Sequence, residues 1–133
     1  MVEKISPILT AQFDRMWKAL RQAIGNFTDE KFRRSDIPYL IPANLAVHLI
    51  ETVEFYIGEI PGNQFPWGRL GGDWEGKDPA LWPGQERLVE YLEEVQVKTE
   101  AWLTNLDSEG GEKWFEPAGW CPWTGRTMLD RVL

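Results

Sequence analysis

The chain has 133 residues, a length typical of one domain, and 43% of them are hydrophobic. Its formal net charge of −7 argues against a nucleic-acid partner, because binding phosphates needs a basic patch. It has no run of about 18 apolar residues that would span a membrane, and its N-terminus lacks a signal-peptide pattern. The single cysteine, Cys121, allows no internal disulfide. We therefore expect one domain, residues 1–133, in a cytoplasmic protein.

The first predicted helix opens at Ser6, a good N-cap, followed by Pro7 at a position that suits proline. Apolar residues then recur at helical spacing until Gly25 and Asn26, which are typical of a helix end. This stripe consists of Leu9, Phe13, Met16, Trp17, Leu20 and Ile24. Thr28 can then cap a short helical turn.

The most apolar helical stretch runs from Pro42 to Gly58 and contains the only histidine of the chain, His48. One of its sides carries Ala46, Val47, Ile50, Val53 and Ile57, and the neighbouring side carries Leu45, His48, Leu49, Thr52, Phe55 and Tyr56. So wide an apolar surface predicts a central helix with more than one neighbour. The residues expected to face water are Asn44, Glu51 and Glu54.

Residues 58–83 form a long connection that is rich in glycine, proline and tryptophan and has no regular period. Five of the eight tryptophans lie in segments of this irregular kind: Trp67, Trp74, Trp114, Trp120 and Trp123. Aromatic loops either pack as lids on a small core or line a ligand pocket. The aromatic content favours an ordered loop over a linker.

A third long helix is predicted from about Pro83 to Leu106. Its core stripe consists of Leu88, Tyr91, Leu92, Val95, Thr99, Trp102, Leu103 and Leu106, and the acidic residues from Glu86 to Glu100 should face water. After another irregular segment, Thr124 can cap a fourth helix that carries Met128, Leu129, Val132 and Leu133. Long helices joined by long connections predict an all-α, four-helix bundle with long crossover loops, whose fourth helix is truncated at Leu133.

Several segments resemble the DinB-like (damage-inducible) superfamily of four-helix bundles, which includes the YfiT-type metal-dependent hydrolases. The segments are FTDEKF at the end of the first helix, NLAVHLIETVEFYIG, ERLVEYLEEVQVKTEAWLTNL and TGRTMLDRVL. The resemblance extends from the first helix to the end of the chain, and it rests on one histidine together with helix patterns.

The resemblance implies a metal-dependent transferase or hydrolase that acts on a small molecule, which could be thiol-linked. Some relatives use the metal to activate a low-molecular-weight thiol for transfer or isomerisation. His48 matches the family's first ligand for a divalent metal, zinc or nickel. The two histidines that complete such a site would lie beyond Leu133, so we expect a partial or empty site in these 133 residues. The pocket would be lined by Thr52, Tyr56, Trp120 and Trp123.

The residues themselves leave alternatives open. A histidine on an apolar helix face is often a core side chain that is hydrogen-bonded to a carbonyl or carboxylate. Glu51 and Glu54 could offer carboxylates, although their spacing from His48 is poor for a shared site. Cys121 is either a thiolate ligand or an inert packed thiol.

Three explanations compete for the short C-terminal pattern: a fragment of a longer protein, a natural chain that pairs with a second copy, or a short terminal turn. Three functions follow. The first is a metal-dependent enzyme with His48 as a ligand. The second is a non-catalytic module that binds a small molecule, because no pair of nucleophile and base is readable in the sequence. The third is a self-associating protein, such as a homodimer.

Overall fold

The computed structural model describes residues 6–58, 60, 63–71 and 78–105. These residues form four α-helices: α1 (Ser6–Gly25), α2 (Asp29–Arg33), α3 (Pro42–Ile57) and α4 (Gln85–Asn105). Two short 3-10 helices precede α3 and α4, at Pro38–Leu40 and Pro79–Leu81. No strand occurs among the residues described, and the all-α prediction is confirmed. The predicted helix after Thr124 lies outside them.

The helix ends follow the local signals in the sequence. α1 ends at Gly25, and α3 begins at Pro42, as predicted. The hydroxyl of Thr28 caps α2 by accepting a hydrogen bond from the Lys31 amide at 3.3 Å. α4 begins two residues later than predicted, at Gln85, whose side-chain amide donates to the carbonyls of Ile24 and Phe27 at 2.8 and 2.7 Å. Gln85 thereby ties the start of α4 to the end of α1.

Helix α3 occupies the central position that its wide apolar surface predicted, because it packs against α1, α2 and α4. The main core forms where α1, α3 and α4 meet, around Trp17, Ile50 and Tyr91. Every residue of the predicted α4 stripe that the structure describes is buried. A smaller cluster joins Leu9 of α1 to Trp102 and Leu103 near the end of α4. Together these contacts fix the orientation of α3, and with it the position of His48.

The predicted α1 stripe needs one correction. Leu9, Trp17 and Ile24 are buried and Phe13 and Leu20 are half-buried, but Met16 is exposed. Met16 lies at the edge of the stripe, where no described element covers it. None of the helices in the described part of the chain has both the length and the hydropathy needed to cross a bilayer.

The prediction for the polar residues of α3 is wrong. Asn44, Glu51 and Glu54 were expected to face water, but all three are buried. Each has a partner from another segment that makes burial possible. The Asn44 side chain donates to the Pro38 carbonyl at 3.2 Å, and the two glutamates are engaged by residues 63–71, which we call the aromatic loop.

The aromatic loop packs on α3 through its rings. Phe65 is buried and meets Phe55 edge to face, with ring centroids 5.6 Å apart. Trp67 contacts both rings in a tilted arrangement, with centroids 5.3 Å from Phe55 and 4.6 Å from Phe65. In this part of the 58–83 connection, the aromatic side chains therefore act as a lid on the core. Trp74, Trp114, Trp120 and Trp123 lie outside the residues described.

Candidate functional site

His48 lies in the first half of α3, and its side chain is exposed. Leu45 and Leu49 are on the same face of the helix and are 39% and 52% exposed. One turn further on, Thr52 donates its hydroxyl hydrogen to the carbonyl oxygen of His48 at 2.6 Å. His48 therefore belongs to the surface of the described part of the chain, which argues against the alternative of a core histidine.

The predicted pocket residues fall into two groups. Thr52 and Tyr56 are half-buried and lie on the same face of α3 as His48, since residues four apart are neighbours on a helix. The Tyr56 ring also contacts Phe55, with centroids 5.5 Å apart. Trp120 and Trp123 lie outside the described residues, as does Cys121. The structure thus places Thr52 and Tyr56 on the His48 face. That Trp120 and Trp123 line the same pocket stays a prediction.

An apolar groove of about 350 Å³ borders this face, between α1 and α3. Most of its wall is aliphatic or aromatic, with Leu20, Ala23, Ile24, Phe27, Phe32, Leu40, Pro42, Leu45, Ala46 and Leu49 as its lining. Leu45 and Leu49 belong to both the groove and the His48 face. An exposed apolar surface of this kind marks a place where a ligand, a further segment or a partner binds.

The described residues around His48 offer too few donor groups for a metal ion. A catalytic zinc site normally has about three protein ligands and one open position. Among the residues described, no group of three or more His, Cys, Asp or Glu side chains lies close enough together to hold a metal. Glu51 interacts electrostatically with His48 from the next turn, but its carboxylate is 4% exposed and already engaged. The described residues thus offer a single accessible imidazole, and they do not form a complete metal site.

The partner of Glu51 is the backbone of the aromatic loop. The Gly68 amide donates to both carboxylate oxygens of Glu51, at 3.2 and 3.1 Å. Gly68 has a φ of 76°, in the left-handed region, where a residue with a side chain would be strained. Burial raises the pKa of the Glu51 carboxyl, although the Gly68 hydrogen bond and the positive charge of Arg69 oppose that effect.

Glu54 carries the second buried carboxylate, at 7% exposure. The Arg69 guanidinium binds it at 2.5 Å, and the Lys98 ammonium of α4 lies 3.5 Å from the same oxygen. Arg69 also lies over the ring of Tyr91, 5.0 Å from the centroid, which adds a cation–π contact. Burial, reinforced by the negative charge of Glu54, raises the pKa of Tyr91. Glu54, Arg69 and Lys98 thus form a charged cluster in which the carboxylate is buried and the two cations remain partly exposed.

The charged cluster contains the residues that the sequence analysis missed. Arg69 lies in a connection whose sequence has no regular hydrophobic period. Lys98 is one of many charged residues on the side of α4 that was expected to face water. The signal that could have revealed them is the presence of two glutamates in the most apolar helix, because buried carboxylates require cationic or amide partners. The partners are 15 and 44 residues away from Glu54, and no local pattern points to them.

The described residues thus define an all-helical protein with an exposed histidine beside an apolar groove. A family model for the DinB superfamily matches residues 12–133. The match covers nearly the whole chain, from the first turns of α1 onward, and the protein belongs to the DinB superfamily. No curated protein and no solved structure shows a significant match to it.

Proposed function

We propose that this protein is a metal-dependent enzyme, a transferase or a hydrolase, that acts on a small molecule and uses His48 as one ligand of a divalent metal such as zinc or nickel. The observation that carries the proposal is the exposure of His48 on α3, within the region that the DinB superfamily model matches. A buried histidine would be committed to the core, whereas the His48 side chain is exposed to solvent, on the same face of α3 as Thr52 and Tyr56.

Glu51 and Glu54 are already engaged by the aromatic loop and α4, so we expect the remaining ligands to come from outside the described residues. The segment from 106 to 133 and any longer natural chain are the possible sources, including Cys121. In this proposal His48 binds the metal, and Thr52 and Tyr56, together with Trp120 and Trp123, line the substrate pocket beside it.

The apolar groove has a competing use. A second copy of the chain could cover Leu45 and Leu49, which would make the protein a homodimer with His48 near the interface. The same groove could instead admit the apolar part of a small substrate. The two uses differ in the mass of the native particle, which one measurement resolves.

The test is native mass spectrometry with elemental analysis on the protein expressed from its whole gene, before and after chelation. We expect a stoichiometric divalent metal in the unmodified protein. In His48→Ala the metal affinity should fall more than about 100-fold, because even indirect support of a metal ligand is worth about 10- to 100-fold. The matched control is Gln22→Ala, an exposed polar position on α1, which should keep its metal.

The free energy of unfolding distinguishes the loss of a metal ligand from the loss of the fold. Because His48 is exposed, His48→Ala measured with chelator present should change the free energy of unfolding by less than about 0.5 kcal/mol. Unchanged metal content in His48→Ala would refute the proposal. A metal-free protein from the whole gene would do the same and leave a binding role in its place.

A further inference from the structure

A second cavity, of about 260 Å³, lies between the C-terminal half of α3, the aromatic loop and α4. It is on the opposite side of α3 from His48, because Ile57 follows His48 by two and a half helical turns. None of the residues that the proposed metal site uses lines it. The cavity combines one charged wall with one apolar wall, which is the usual make-up of a site for a small organic molecule.

Among the described residues, the charged wall carries more positive than negative charge. Glu54, Arg69 and Lys98 all line the cavity, and both cations share the single carboxylate of Glu54. Their side chains are 37% and 55% exposed, so both can also reach a ligand in the cavity. The other buried carboxylate, Glu51, does not line the cavity and binds the amide of Gly68 instead. Among the described residues that line the cavity, two positive charges thus meet one negative charge, which favours an anion as the ligand.

Most of the other residues that line the cavity form its apolar wall. Ile57 of α3, Phe65 of the aromatic loop and Trp102 of α4 contribute to it. Phe65 and Trp102 are almost fully buried and are held by the packing of two separate clusters. Rigid aromatic side chains offer a large contact area at a low cost in conformational entropy, so they suit the apolar body of a ligand.

We propose that this cavity binds a small organic anion, a carboxylate with an aromatic or branched apolar body. The carboxylate accepts hydrogen bonds from Arg69 and Lys98, and the body lies against Phe65 and Trp102. A neutral analogue gains the apolar contacts but not the charge-assisted hydrogen bonds. A cationic analogue is repelled by the same two side chains.

The test is isothermal titration calorimetry with 3-phenylpropionate as the probe and 3-phenylpropionamide as its neutral counterpart, on the whole protein with chelator present. We expect the anion to bind about tenfold more tightly than the amide, since a hydrogen bond to a charged group contributes on the order of one tenfold step in affinity. Raising the salt concentration should weaken binding of the anion, because both cations are partly exposed. Equal affinities, or no binding of the anion at millimolar concentration, would overturn the proposal.

Two lysine variants locate the site. Lys98→Gln removes one cation from the wall and should weaken binding of 3-phenylpropionate about tenfold. It should fold normally, because Lys98 is exposed and Arg69 still pairs with Glu54. Lys18→Gln is the matched control, since it removes the same charge from an exposed position of α1 and should bind like the unmodified protein. Unchanged binding in Lys98→Gln would show that the anion binds elsewhere.

Binding of the anion in this cavity does not require the metal. His48→Ala should bind 3-phenylpropionate with unchanged affinity, because His48 is on the far side of α3. Anion binding that disappears in His48→Ala, or that requires a divalent metal, would contradict the assignment to this cavity. Failure of the metal proposal would leave the anion result as it is.

Discussion

The two faces of α3 differ in both their chemistry and their burial. On one face, Glu51 and Glu54 are buried beside Ile50, which is fully inaccessible to solvent. On the other, Leu45 and Leu49 are exposed on either side of His48. The carboxylates are therefore inside and the leucines outside, the reverse of what hydropathy alone predicts.

The difference comes from the partners that each face meets. The face with the carboxylates meets the aromatic loop and α4, which supply the Gly68 amide, Arg69 and Lys98. These partners compensate the cost of removing a charge from water. The face with the leucines borders the apolar groove, and among the described residues no element covers it. Burial along α3 is thus decided by the tertiary neighbours rather than by the side chains of the helix itself.

The largest expected effect is the difference in stability between variants of two adjacent aliphatic residues, one buried and one exposed. Ile50→Ala removes a fully buried side chain and should lower the free energy of unfolding by about 3 kcal/mol. Leu49→Ala removes a side chain that is half-exposed and should cost less than about 1 kcal/mol. Urea denaturation of both variants measures the difference. Equal costs would mean that the whole protein covers the His48 face as thoroughly as it covers the core.

The second prediction concerns the buried carboxylate of Glu54. Arg69→Met leaves Glu54 with Lys98 alone, at 3.5 Å, and should cost about 2 kcal/mol, because a buried charge loses its principal partner. The control is Arg87→Met, which breaks only exposed ion pairs on α4 and should cost less than about 0.5 kcal/mol.

A double variant distinguishes the stabilisation by the Glu54–Arg69 ion pair from the cost of leaving a buried carboxylate without its partner. Glu54→Met combined with Arg69→Met removes both charges and should recover most of the loss seen in Arg69→Met, since no uncompensated carboxylate is left. Arg69→Met and Arg87→Met of equal stability would show that the Glu54 ion pair contributes no more than an exposed one.

Sequence patterns predicted the helices well because their signals are local. The cap at Thr28, the proline at Pro42 and the spacing of the α4 stripe each act within about one or two turns of helix. The same locality explains the main error. The burial of Glu51 depends on a glycine amide 17 residues away, in a loop where no periodicity can be read.

The candidate site divides in the same way. His48, Thr52 and Tyr56 could be assigned to one face of α3 because helical geometry alone decides which residues are neighbours. Whether that face is buried depends on the elements that pack against it, and in the described part of the chain these are α1 and α2. The cavity lined by Arg69 and Lys98 could not be predicted, because it needs the loop and α4 to meet the same side of α3.

The smallest expected effect is a change in pH dependence, and it tests the burial of Glu51 directly. Burial raises the pKa of Glu51 in the folded state above its ordinary value, so the folded protein binds a proton more tightly than the unfolded chain does. Between the ordinary pKa and the raised one, the contribution of Glu51 to stability therefore falls as the pH rises. Glu51→Gln removes this contribution, while its amide oxygen can still accept the hydrogen bond of Gly68.

The stability of Glu51→Gln relative to the unmodified protein should accordingly increase as the pH rises through this window, and level off above it. Urea denaturation at a series of pH values from the acidic to the neutral range measures the difference. Glu86→Gln, which removes one exposed carboxyl from α4, controls for the loss of a negative charge. A relative stability that moves in the opposite direction would mean that the Gly68 amide and Arg69 outweigh burial, and that this face of α3 favours the charged carboxylate.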